Sequence, residues 1–292
     1  MSAVIIDGKA VAADIRASVT RECEALLRQG MTAPGLAVVL CGDNPASAMY
    51  VRNKGRTAER VGIRFQLHTP PATSSTEELL QLVRRLDNDD EVDAILVQLP
   101  LPSGVDTRAV IDCVSPQKDA DGFHPLNFGR LAEGTPGVVT PCTPHGCMEL
   151  MSRYDVPLAG ARAVVVGRST IVGRPLAAML TNADATVTVC HSKTVDLEDV
   201  CREADILVAA TGRPQMINAG HVKPGACVID VGTTPTDNGV VGDVNRAAVE
   251  PVAGWLTPVP GGVGPMTIAM LLQNTVALAV ARRHAATASQ RA

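Results

Sequence analysis

The chain has 292 residues, 46% of them hydrophobic and 19% charged, with a formal net charge of −4. That length holds two ordinary domains or one large one, and the apolar content excludes a disordered chain. A weakly acidic balance with no basic run excludes a surface built for nucleic acid or anionic lipid.

Taken in chain order, apolar runs alternate with helical patterns. Asp14–Arg28 reads as a helix, Leu36–Cys41 (LAVVLC) as a buried strand, Ala46–Val61 as a helix and Arg64–Leu67 as a short strand. Ser75-Thr-Glu-Glu78 has capping-box spacing and opens a helix to Leu86, after which Ala94–Gln98 (AILVQ) is a third strand. Short continuous apolar strands separated by helices predict a parallel sheet covered on both faces. Gly129 to Pro144 is rich in Gly, Pro and Thr and breaks the alternation, so the domain junction is placed there, with a helix from His145 to Tyr154. Strands Ala163–Gly167, Thr186–Cys190, Ile206–Ala210 and Cys227–Val231, with helices between them, predict a doubly wound parallel sheet of Rossmann type. The last helix, Met266 to about His284, can dock on either domain, and the Ala-rich tail after it is expected to fray. The fold class is therefore α/β: two α/β domains with a cleft between them.

Aromatic residues make up only 2%, which forces an aliphatic core and draws attention to Tyr50. The eight cysteines (Cys23, Cys41, Cys113, Cys142, Cys147, Cys190, Cys201 and Cys227) are scattered, several inside apolar runs. None forms a Cys-x-x-Cys pair or a Cys/His cluster with zinc spacing, so buried free thiols in a reducing compartment and no metal are expected. The N-terminus has no basic region followed by a long apolar one, and Met266–Val280 is interrupted by Gln273 and Asn274. A soluble, cytoplasmic protein is the expectation, with no membrane partner.

Val164-Val-Val-Gly167-Arg168-Ser169-Thr-Ile-Val-Gly173-Arg-Pro175 runs from a buried strand through a glycine turn into a helix. The turn lets a pyrophosphate approach closely, and the helix start offers free N–H donors. Ser169 stands where G-x-G-x-x-G has its second glycine, so the pattern alone also fits a purely structural turn. The next strand ends in Cys190-His-Ser192-Lys193 with no acid to hold a ribose 2′-hydroxyl. Arg168, Ser192 and Lys193 suit a 2′-phosphate instead, against the bland alternative of solvated loop cations; the pattern favours NADP over NAD.

Tyr50-Val-Arg-Asn-Lys54 puts a phenol and an amine one helical turn apart. A lysine on a helix is most often a solvated cation. Here Gln98 falls just past the C-terminal end of a buried strand, where parallel sheets bind ligands, and Asp119 and Asp121 lie in a loop able to face that edge. An enclosed lysine can serve as a base near neutrality. Tyr-x-x-x-Lys is also the signature of short-chain dehydrogenases, but there the cofactor glycines precede it, and the order here is reversed.

These blocks, with Val97-Gln-Leu-Pro-Leu-Pro102, Lys118-Asp-Ala-Asp-Gly122, Pro141-Cys-Thr-Pro144, Val228-Ile-Asp-Val-Gly232 and Thr257-Pro-Val-Pro-Gly-Gly-Val-Gly-Pro-Met-Thr267, run nearly end to end. The chain thereby resembles the bifunctional methylenetetrahydrofolate dehydrogenase/methenyltetrahydrofolate cyclohydrolase family. The resemblance implies that Lys54 is the catalytic lysine, supported by Gln98. It implies that Tyr50 packs on the folate, that Asp121 holds the pterin, and that Leu99, Pro260, Gly261 and Gly262 contact the same substrate. Gly167, Arg168, Ser169, Gly173, Ser192 and Thr233 would contact NADP; Thr233 departs from the apolar residue common there. The resemblance further implies tetrahydrofolate derivatives as substrates, a homodimer, and a final helix that returns to the first domain. The expected division is a folate domain of residues 1–138 plus 267–292 and an NADP domain of residues 139–266.

Overall fold

The computed structural model of the chain describes residues 2–237 and 239–289. β1 (Val4–Ile5) and α1 (Gly8–Arg28) come first, followed by β2 (Gly35–Val39), α2 (Pro45–Arg60), β3 (Arg64–His68), α3 (Thr76–Asp87) and β4 (Ala94–Val97). Three helices follow: α4 (Thr107–Cys113), α5 (Pro125–Ala132) and α6 (Cys142–Arg153). β5 (Arg162–Val166), α7 (Gly173–Asn182), β6 (Thr186–Cys190), α8 (Leu197–Arg202), β7 (Ile206–Ala209) and β8 (Cys227–Asp230) then alternate. A hairpin of β9 (Thr234–Thr236) and β10 (Gly239–Val241), the short α9 (Arg246–Val249) and β11 (Trp255–Leu256) lead to α10 (Val263–Ser289). The chain divides into two compact units, Met1–Ala13 with Arg130–Met270 and Asp14–Gly129 with Leu271–Ala292.

The smaller unit holds a three-stranded parallel sheet in the order β3-β2-β4. Every residue of β2 (GLAVV) and β4 (AILV) is buried, which is why both read as unbroken apolar runs. From β2 the chain crosses through α2 to β3 and then returns to β4 on the other side of β2. The switch point therefore lies beside the C-terminal end of β2. Asn44 accepts the Ser47 N–H at 3.0 Å and Pro45 stands in the first turn, so α2 starts on schedule. Ser75 and Glu78 form the capping box expected for α3, each accepting the other's backbone N–H.

The larger unit holds a six-stranded parallel sheet in the order β1-β11-β8-β7-β5-β6. Its doubly wound half switches direction at β5, with β6 on one side and β7 on the other, as a Rossmann-type sheet does. β7 (ILVA) and β8 (CVID) are buried throughout, whereas β6 is an exposed edge.

Several boundaries differ from expectation. α1 starts at Gly8 because the Asp7 carboxylate accepts the N–H groups of Lys9 and Ala10, a cap in front of the expected Asp14. Residues 1–13 go with the larger unit, not the smaller one, because Val4 and Ile5 pair with Trp255 and Leu256. The units divide at Gly129, the near edge of the Gly/Pro-rich segment. α10 runs past His284 to Ser289; the last three residues lie outside the described ones. Its stretch Val263–His284 is long and apolar enough to cross a membrane, more than the interrupted run suggested, but most of it is buried in the protein. Buried Asn274 donates to the Ala120 carbonyl, while Arg282 and Arg283 each reach the Asp93 carboxylate. None of the eight cysteines is in a disulfide and seven are buried; burial pushes the thiols of Cys147, Cys201 and Cys227 up to about 12.

Candidate functional site

In the smaller unit, Lys54 sits on α2 one turn after Tyr50, and the two differ sharply in environment. Lys54 is 7% exposed and Tyr50 45%. The Lys54 Nζ donates to Gln98 Oε1 at 2.9 Å, and Gln98 Nε2 donates to the Leu99 carbonyl at 2.7 Å. Gln98 follows the last residue of β4, so the pair stands at the C-terminal edge of the sheet, at its switch point.

The Lys118–Gly122 block separates into distinct roles. Lys118 Nζ donates to the Leu86 and Asp89 carbonyls and ties off α3, with burial lowering its pKa. Asp119 is spent inside its own loop, accepting from Phe123 N–H, His124 N–H and Asn127 Nδ2. A parallel bridge pairs Ile95 with Asp119. The chain turns directly after this bridge, and Asp121, half-buried, lies in that turn.

In the larger unit, the C-terminal ends of β5, β6 and β7 open onto a cavity of about 450 Å³. Of the residues assigned to NADP from the sequence, Gly167, Arg168, Ser169 and Ser192 line it, and Gly173, at the start of α7, does not. Gly167 has φ +133°, and a Cβ there would run into the Ala210 carbonyl. Ser169, in the place of a glycine, has a positive use: its Oγ accepts the N–H groups of Val172 at 3.1 Å and Gly173 at 3.3 Å, organising the α7 N-terminus. A Cβ on Gly173 would run into the Gly167 carbonyl, so the two glycines are packed backbone to backbone. Thr233, exposed beyond β8, is not among the residues lining this cavity. Arg213, His191, Thr194, Leu197 and Met216 do line it and were not foreseen from the sequence. A dinucleotide fits these residues: a glycine turn for a pyrophosphate, apolar walls for a ring, and arginines for a further phosphate.

A carboxylate pair holds the floor of this unit. Asp230, ending β8, accepts the N–H groups of Gly232, Asp243 and Val244 at 2.9–3.0 Å. Asp243, fully buried, accepts in turn from Thr211 N–H and Gly212 N–H in the loop after β7. Burial pushes the Asp230 carboxyl up to about 6, with the Asp243 charge adding to the rise and the three N–H bonds opposing it.

Pro260, Gly261 and Gly262 form a tight loop before α10 in the larger unit. Gly261 has φ +113°, its carbonyl accepts the Lys9 N–H, and Gly262 N–H donates to Pro258. A Cβ on Gly8 would run into the Gly262 carbonyl, so the loop packs against the start of α1. Among the described residues no group of three or more His, Cys, Asp or Glu could hold a metal ion.

The two sheets and their edges define a dinucleotide-binding α/β enzyme with an amine site in a unit of its own. A model of the tetrahydrofolate dehydrogenase/cyclohydrolase catalytic domain matches residues 6–121, and one of the same family's NAD(P)-binding domain matches residues 141–283. The chain belongs to the tetrahydrofolate dehydrogenase/cyclohydrolase family. It is 56% identical over 284 residues to the bifunctional protein FolD of Acidiphilium cryptum, covering 97% of this chain and 100% of that one. The crystal structure of the bifunctional FolD dehydrogenase/cyclohydrolase from Campylobacter jejuni is similar with a TM-score of 0.94 at 44% identity, covering 96% of this chain and all of that one. The Trypanosoma brucei dehydrogenase–cyclohydrolase, solved with NADP cofactor and an inhibitor, gives 0.91 at 42% identity, covering 95% and 97%.

Proposed function

We infer that this chain carries out both steps of its family. The first is NADP-dependent oxidation of 5,10-methylenetetrahydrofolate to the 5,10-methenyl cation, and the second is hydrolysis of that cation to 10-formyltetrahydrofolate. The observation that supports a hydrolytic step beside the redox one is the bond from Lys54 Nζ to Gln98 Oε1 at the sheet edge. When bound, NADP+ supplies the hydride acceptor. Gly167 and Gly173 let the backbone approach its pyrophosphate, Ser169 orders the helix start behind it, and Arg168 and Ser192 take its 2′-phosphate; Thr233 is assigned to its nicotinamide end.

In the second step water adds to the methenyl carbon, the bond to N5 breaks, and one proton is released overall. Lys54 is assigned the proton transfers: it takes the proton from the attacking water and returns one to the departing nitrogen. Gln98 holds the amine in place through one hydrogen bond. Tyr50 offers a flat face to the substrate, Asp121 accepts from the pterin N–H groups, and Leu99, Pro260, Gly261 and Gly262 complete the folate contacts. Of the residues so assigned, Tyr50, Lys54, Gln98, Leu99 and Asp121 belong to the smaller unit, and Pro260, Gly261 and Gly262 to the larger one, which also holds the residues assigned to NADP. A homodimer working in the cytoplasm is part of the same reading, and sedimentation of the purified protein checks its dimeric half.

The test is the reaction with 5,10-methylenetetrahydrofolate and NADP+, following NADPH and the methenyl chromophore together. NADPH with little methenyl above the spontaneous-hydrolysis control, and 10-formyl product, is the expected result. Accumulating methenyl removes the hydrolase assignment, and the absence of NADPH removes both.

A further inference from the structure

Arg213 lies in the loop that follows β7, facing the cavity from the side opposite β6. Arg168, after β5, lines the same cavity with Ser192, after β6. Among the described residues neither guanidinium has a hydrogen-bond or ion-pair partner, and no carboxylate lines the cavity. Two unspent arginines around one cavity with no acid make a site biased towards an anion of more than one charge.

The loop that carries Arg213 is held at both ends. Thr211 and Gly212 donate to Asp243, and Arg213 N–H donates to Thr211 Oγ1 at 3.1 Å. Past the turn, Gln215 N–H donates to the Gly242 carbonyl and Ile217 N–H to the Asp243 carbonyl, both at 2.9 Å. Gly212 and Gln215 supply the positive φ angles that the tight turn requires, +67° and +54°. The base of the arginine is thus fixed before any ligand arrives, which reduces the entropy lost on binding. Leu197 and Met216 already give the cavity apolar walls for an adenine ring, so the guanidinium is not needed as a stacking surface.

We propose that Arg213 is a second arginine for the 2′-phosphate of NADP, sharing it with Arg168 and setting the preference for NADP over NAD. The inference rests on the assignment of this cavity to the cofactor. A phosphate monoester near neutrality carries close to two negative charges and three acceptor oxygens, enough for two guanidinium forks and the Ser192 hydroxyl.

Calorimetric titration of the wild type, Arg213→Ala, Arg213→Lys and Arg168→Ala with NADP+, NAD+, 2′,5′-ADP and 5′-AMP tests this. Arg213→Ala is expected to weaken NADP+ and 2′,5′-ADP by about tenfold or more, while changing NAD+ and 5′-AMP by less than about twofold. Arg213→Lys should recover part of the loss, since charge returns without the fork. An equal loss for all four ligands assigns Arg213 to the ring or to the loop and overturns the proposal. Unchanged NADP+ affinity in Arg213→Ala, with a clear loss in Arg168→Ala, overturns it while leaving the cofactor site in place. Unchanged affinity in both variants overturns the site assignment as well.

Discussion

Gln98 presents its carbonyl oxygen, not its amide nitrogen, to Lys54. The nitrogen is committed to the Leu99 carbonyl at 2.7 Å, which fixes the amide and leaves Oε1 to accept from Nζ at 2.9 Å. The lysine is therefore aimed by a neighbour whose own orientation is set by the backbone. An isosteric Gln98→Glu exchange would replace this neutral acceptor with a carboxylate that cannot donate to Leu99 when ionised.

Lys54→Met keeps the stem and removes the amine. Cyclohydrolase activity is expected to fall by roughly 10²–10⁴-fold, the usual worth of positioned acid–base catalysis. Some hydride transfer should persist, so methenyl accumulates while NADPH still forms. Equal loss of both activities in a folded variant counts against a role confined to hydrolysis.

Asp121→Ala removes a carboxylate assigned to the pterin. Folate affinity should drop by about tenfold or more, as expected for a charge-assisted hydrogen bond, with NADP+ affinity unchanged. Titration with each ligand separates the two effects, and intact folate binding strikes Asp121 from the site.

Gly173→Ala places a Cβ against the Gly167 carbonyl, and neither backbone can turn aside as a side chain would. A destabilisation of roughly 1–3 kcal/mol is expected from overpacking, together with loss of NADP+ binding at the α7 start. A thermal melt and a cofactor titration check it; a variant with wild-type values for both would show that the turn tolerates a side chain.

Asp230 has a folded-state pKa near 6 against an ordinary 3.8, so the native state holds its proton where the unfolded chain has lost it. The stability this group contributes is complete below about pH 4 and is lost as pH rises through 6. With a shift of about two units, the change is on the order of 3 kcal/mol. Asp230→Asn cannot ionise, and its denaturant-derived stability should fall less than the wild type's between pH 4 and pH 7. Parallel profiles for the two proteins would falsify this assignment.

Much of this was legible in the sequence, for identifiable reasons. β2, β4, β7 and β8 are buried along their whole length, so burial wrote them as continuous aliphatic runs. The α3 box was local chemistry, confined to Ser75 and Glu78. β1 and β11, two residues each, are too short to show a period; β11 is held between β8 and β1, and β1 by β11 alone. α4 and α5 have seven and eight residues, about two turns each, and were lost between stronger signals. At the sites, the resemblance supplied the partnership of Lys54 with Gln98, 44 residues apart. Arg213 and Asp243 went unseen because their meaning depends on strands brought side by side. A local clue did exist: Arg213 follows buried β7 closely, much as Arg168 follows buried β5.

The pairing of β1 with β11 sets a timetable for synthesis. Val4 emerges first, yet its partner Trp255 comes 251 residues later. At roughly 5–20 residues per second, the N-terminal strand waits some 10–50 s for its place in the sheet. The smaller unit waits too, since buried Asp93 meets Arg282 and Arg283 only about 190 residues after it is made. The smaller unit cannot finish folding until the last helix has left the ribosome, and a chain cut short before Arg282 leaves the Asp93 carboxylate buried without its two cations.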